Sequence, residues 1–153
     1  MRKHSILLIA TALFLWGIDE AASSAPAKEP TNVAKTLKIE LNAMEQQQNA
    51  CRLSFVATNG MHQKLAKLVF ELVMFEPAGK VLRLLSASFG SMPKSKMRLR
   101  QYDVPNLNCD DIGRILLNEV TVCKGEKKGD KLTPELCTSA ASTSSRVKIP
   151  FDF

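Results

Sequence analysis

Four cysteines and a row of alternating cations are the residues whose types and spacing bear most directly on chemistry. Cys51, Cys109, Cys123 and Cys137 form an even set with no C-x-x-C pair among them. A redox dithiol or a zinc knuckle needs such close pairs, so the set reads as two structural disulfides and not as reagents or metal ligands. The cations lie in residues 94–100, KSKMRLR, where Lys94, Lys96, Arg98 and Arg100 occupy every second position. Side chains alternate faces along a strand, so this stretch has one cationic and one largely apolar face, its charges spread over roughly 20 Å. The expected arrangement turns the charges to solvent, where they keep a strand soluble and oppose edge-to-edge pairing. The same row suits an anionic partner: a phosphorylated head group, an acidic polymer or an acidic protein.

The remaining reactive residues assemble into little. His62 is the only histidine beyond the N-terminal His4, and it lies in the loop-like NGMHQK. A Ser-His-Asp site would have to use His62, yet no G-x-S-x-G is present to supply a nucleophile elbow. A zinc site needs more histidines or free thiols. Asp110, Asp111 and Glu119 offer oxygens, but calcium takes six to eight and the spacing of an EF-hand is missing. No glycine-rich phosphate loop follows a strand. No catalytic residue, metal site or cofactor is therefore expected. Nucleic acid is not an expected partner either, because the cationic row has only Tyr102 nearby for base stacking.

The elements that must position these residues begin after an export signal. Arg2, Lys3 and His4 precede an apolar run from Ile6 to Ile18, which stops at Asp19-Glu20 and is followed by AASSAPA. The run is too short to span a membrane and matches a signal-peptide core. Residues 1–27 are read as a signal peptide cleaved after Ala27 or Ser24, leaving no transmembrane anchor and a periplasmic or extracellular protein. Residues 28–36 are a flexible lead-in, and 37–153 a single domain. Cleavage after Ala27 removes two bases and two acids, so the net charge stays 19 − 13 = +6.

Within the domain, LKIEL alternates as a first strand and ACRLSFVATN as a second, closed by the turn signal Asn59-Gly60. Leu65–Phe75 is apolar on both faces, but Glu76-Pro77-Ala78-Gly79 suits a hairpin turn that returns Lys80–Phe89 as its partner. KSKMRLR is the fifth strand and IGRILLNEVTV the sixth. Thr133-Pro134-Glu135 marks a helix start, giving one short helix over Pro134–Thr138. TSAASTSS (138–145) reads as a loop. SRVKIPFDF is the last strand, with Val147, Ile149, Phe151 and Phe153 alternating against polar residues and Pro150. About seven short strands with turn signals indicate an antiparallel, immunoglobulin-like β-sandwich. A membrane barrel would need eight or more strands with aromatic girdles, and the chain has one Tyr and seven Phe in all.

Three pairings of four cysteines are possible, and the sandwich selects one. The second and sixth strands lie in opposite sheets and run in the same direction. Cys51 opens the second and Cys109 precedes the sixth, so the two share an end. Cys123 closes the sixth strand at the other end, within reach of Cys137 on the short helix.

The succession ACRLSFVATN, ELVMFEPAGKV, YDVPNLNCDDIGRILLNEVTVC, LTPELC and SSRVKIPF resembles a family of small exported bacterial proteins of uncharacterised function, often labelled by a twin-arginine (Tat-type) signal sequence. Here Arg2 is followed by Lys3, so the arginine pair of such a signal is missing. The resemblance implies a secreted domain with paired cysteines and implies no activity. The function expected is that of a non-catalytic envelope module binding a protein or an anionic ligand, by strand addition or by charge. A small secreted enzyme or enzyme subunit is the alternative.

Overall fold

A computed structural model describes residues 36–127 and 129–153. The expected signal peptide and all but the last residue of the lead-in lie outside the described residues. The elements are β1 (Leu37–Gln47), β2 (Ala50–Asn59), β3 (Leu65–Phe75), β4 (Val81–Met92), β5 (Lys96–Pro105), a 3₁₀ turn (Cys109–Asp111), β6 (Arg114–Gly125), α1 (Pro134–Ala140), β7 (Ala141–Ser145) and β8 (Phe151–Asp152). Among the described residues no helix is long and apolar enough to cross a membrane.

The strands form two four-stranded sheets, ordered β5-β2-β1-β7 and β4-β3-β6-β8. Each turns one alternating apolar face inward: Leu37, Ile39 and Leu41 of β1 and Leu53, Phe55 and Ala57 of β2 meet Phe70, Leu72 and Met74 of β3 and Ile115 and Leu117 of β6, all buried. Burying a Leu or Phe contributes about 1.5–3 kcal/mol, so this layer dominates the stability of the domain. Rings link across it: Phe151 to Phe55, Phe55 to Tyr102, Tyr102 to Phe89 and Phe89 to Phe70, with centroids 5.3–6.2 Å apart. The protein is an all-β sandwich with one short helix before its last strands.

The turn chemistry behaves as the residues dictate. Gly79 N donates to Glu76 O at 2.8 Å, and Gly79 takes the positive φ of +85° that closes the β3–β4 hairpin. β1 runs six residues beyond the alternation of LKIEL because a bulge between Leu41 and Ala43 shifts its inward phase while pairing with β2 continues to Gln47. Asn59 is not the exposed turn residue that its sequence context suggests. It ends β2 fully buried; its amide donates to the carbonyls of Gln63, Met92 and Pro93, and its Oδ1 accepts from Met61 N. Gly60 beside it donates to Thr36 O, and a Cβ there would lie 2.6 Å from that oxygen.

The C-terminal third differs from the expected layout. The described strands number eight, and two of the pairings are parallel: β1 with β7 and β6 with β8. The run expected as a loop is the last turn of α1 followed by β7, whose short polar side chains carry no apolar alternation to reveal a strand. Nor is SRVKIPFDF one strand. Ser145 Oγ donates to the carbonyls of Val147 and Ile149, bending the chain over 146–150 from one sheet to the other. Pro150 has no N–H for a ladder, but its carbonyl accepts from Ile115 N and sets Phe151 against β6. α1 starts as expected, with Thr133 accepting from Leu136 N as N-cap, and extends to Ala140.

Candidate functional site

β5 is an edge strand whose only strand pairing among the described residues is with β2, in unbroken register from Asn59↔Lys96 to Ala50↔Pro105. That register decides which way its side chains point, because residues directly opposite in an antiparallel pair share a face. Arg100 stands opposite Phe55, Arg98 opposite Ala57 and Lys96 opposite Asn59. Phe55, Ala57 and Asn59 are core residues, so the cations lie on the inner face of the sheet. Lys96 and Arg98 are exposed to solvent as expected, but they reach it from the core side of the sheet and not from its outer face. Met97 and Leu99, the expected core residues, share the outer face with Thr58 and Val56 and are 69% and 54% exposed.

Both faces of this half-strand are open to water because β5 overhangs the core. Burial falls along its length: Val104 is buried, Tyr102 and Arg100 are partly buried, and Leu99, Arg98, Met97 and Lys96 are exposed. Long Lys and Arg stems can line such a rim while their charged heads stay hydrated. Arg100 reaches across the opening. One of its guanidinium nitrogens would lie 3.8 Å from a Cβ at Gly90 of β4, and another donates to Leu99 O at 3.1 Å. Beneath it, Tyr102 Oη donates to Ser88 O of β4 at 2.9 Å and so fastens the two sheets at their shared edge. Burial pushes the Tyr102 phenol up to about 12, against a smaller lowering by the Arg100 charge.

The lower outer face of β5 is polar and matched: Arg52 pairs with Asp103 through both carboxylate oxygens at 2.6 and 2.8 Å, and Gln101 donates to Ser54 Oγ. That pairing holds the Asp103 carboxyl below its ordinary value. Lys96, Arg98 and Arg100, by contrast, have no carboxylate partner among the described residues.

Lys94 departs from the row. It precedes β5 in a turn where Ser95 has φ +57° and donates its N–H to Asn59 O, and it lines a cleft of about 330 Å³ with His62, Lys64, Glu126 and Asp130. The acids in this cleft are engaged: Glu126 pairs with Lys64, and Asp130 accepts from Lys127 N. His62 is exposed there. Asp110 and Asp111 form the 3₁₀ turn, whereas Glu119 lies on β6 opposite Glu71, so these three acids do not converge. Among the described residues no three His, Cys, Asp or Glu side chains are grouped to hold a metal.

The cysteines are joined as Cys51–Cys109 and Cys123–Cys137. The first ties the start of β2 to the 3₁₀ turn before β6; the second fixes α1 to the end of β6. Thr138 of α1 also accepts from Val120 N through Oγ1, where β6 pairs irregularly with β3. Two disulfides fit an oxidising compartment.

Missing from the sequence-derived site are Met97 and Leu99 as exposed residues and Tyr102 as the fastener beneath the cations. The signal that finds them is the β2–β5 register. Comparison of the chain with protein-family profiles, with curated proteins and with solved structures finds no match.

Proposed function

We propose that this protein is an exported, periplasmic binding module that engages an anionic partner along the β5 edge and performs no catalysis. The observation that carries the reading is the set of three cations, Lys96, Arg98 and Arg100, presented in a row without carboxylate partners among the described residues. A +6 chain already attracts acidic partners, and an unneutralised row concentrates that field at one place. Export is supported by the basic start, apolar core and small-residue segment of the N-terminus and by two disulfides.

The test has two arms. Expressed as the full chain in a Gram-negative host, the protein should appear in the periplasmic fraction beginning at Lys28 or Ala25, with no alkylatable thiol. An uncleaved or cytoplasmic product would end the export reading. Purified, it should bind immobilised polyglutamate at low ionic strength and lose that binding in R98E/R100E; equal retention of the two proteins would end the assignment to β5.

A further inference from the structure

We infer that β5 is the docking edge for an extended segment of another protein that carries Asp or Glu at every second position with apolar residues between, added to the sheet as a further strand. This deepens the proposed reading of the same edge and rests on it. The four sheet edges are not alike. β7 has five residues and β8 two, and the pairing of β4 with β3 shifts register at three places. Shortness and bulging are ways in which a sheet blunts its edges. β5 uses neither: it is ten residues long and pairs with β2 without a shift. Over Lys96–Arg100 its protection is charge; the other end finishes on Pro105, whose carbonyl accepts from Arg83 of β4.

Charge excludes some strands and admits others. A second copy docked antiparallel through Lys96–Arg100 would set cation against cation, or a cation against Met97 or Leu99, and like charges directly opposite are destabilising. A segment alternating acidic and apolar residues reverses both terms. Its carboxylates fall opposite Lys96, Arg98 and Arg100 on the inner face. Its apolar residues fall beside Met97 and Leu99 on the outer face and cover the two most open apolar side chains of the strand. Main-chain hydrogen bonds would supply affinity, and the alternation would set the register. The overhang of β5 leaves room for side chains on both faces, which an edge packed against the opposite sheet would lack.

The experiment uses the oxidised protein with a peptide alternating Glu and Val, the same residues arranged as a Glu block and a Val block, and the alternating peptide N-methylated at every amide, so that neither of its edges can donate. Binding is measured by titration, and amide exchange is followed by NMR. The alternating peptide should slow exchange at β5 amides, and the block and N-methylated peptides should bind about tenfold more weakly or worse. R98E/R100E, checked for an unchanged unfolding midpoint, should lose the acidic peptide and gain one that alternates Lys and Val. Equal binding of the N-methylated or block peptide, protection centred on the His62 cleft, or preference for vesicles of anionic lipid would overturn strand addition while leaving an anionic contact in place. Failure of every anionic probe would overturn the underlying reading as well.

Discussion

Tyr102 shows how a single side chain reports on the join between the sheets. Its ring packs between Phe55 of one sheet and Phe89 of the other, and its hydroxyl donates to Ser88 O. Both the apolar surroundings and the donated hydrogen bond favour the neutral phenol. The folded value is therefore raised, from 10.0 to about 12. A raised value means that the folded state holds the proton more tightly than the unfolded chain does. The contribution to stability is complete below pH 10 and disappears as pH rises towards 12. The chain has one tyrosine, and its cysteines are in disulfides, so ultraviolet phenolate absorbance reads this group alone. We expect a midpoint near 12 for the native protein and near 10 in concentrated urea. A native midpoint near 10 would mean that the β4–β5 edge is open in solution. Tyr102→Phe should abolish the signal and lower stability by about 1 kcal/mol through the lost hydrogen bond.

At the scale of elements, the connections hang on Asn59. One buried amide holds the β2–β3 loop through Gln63 O and the β4–β5 connection through Met92 O and Pro93 O, and its carbonyl holds Met61 N. Truncation to Ala would leave several main-chain groups without this partner in a buried place, at about 1–3 kcal/mol for each that stays unsatisfied. Asn59→Ala should therefore cost at least about 3 kcal/mol in urea unfolding, more than Asn49→Ala at the exposed β1–β2 turn; equal costs would show that water replaces the amide. None of this was legible in Asn59-Gly60, which carries the residue types of an ordinary turn. The hairpin at Glu76–Gly79, the helix start at Thr133 and the alternation of β2 were legible, because each is decided by residues next to one another in sequence. The faces of β5 were not. KSKMRLR alternates whichever way it is turned, and only its partners Phe55 and Ala57, some forty residues earlier, show that the cations face inward. Likewise β7 has no apolar period to announce it, since a parallel strand beside β1 with Ala at its buried position needs none.

For the molecule as a whole, the question is what keeps two sheets of four strands together when the first half of one edge strand lies beyond the core. The ring series crosses the middle, Asn59 gathers the connections at one end, and the segment over 146–150 carries the chain from one sheet to the other. Cys51–Cys109 closes the end opposite Asn59 on β2, because Cys51 lies at the start of that strand and Asn59 at its finish. Its Cα atoms are 5.0 Å apart across a sequence separation of 58 residues; Cys123–Cys137 spans 14 and joins only a helix to the strand it follows. Closing the longer loop removes more freedom from the unfolded chain, about 4 kcal/mol against about 3 on the chain-entropy scale. Both bridges are largely buried, so paired replacement by alanine removes similar packing from each site and leaves loop length as the main difference. C51A/C109A should unfold at a lower urea concentration than C123A/C137A, with a gap of about 1 kcal/mol. The loss in C51A/C109A should also reach β2 and β6 together, seen as faster amide exchange in both sheets, because the bridge links one to the other. In C123A/C137A faster exchange should centre on α1 and the end of β6. Equal midpoints with the same exchange pattern in both variants would show that the ring series and Asn59 hold the sheets together without the Cys51–Cys109 bridge.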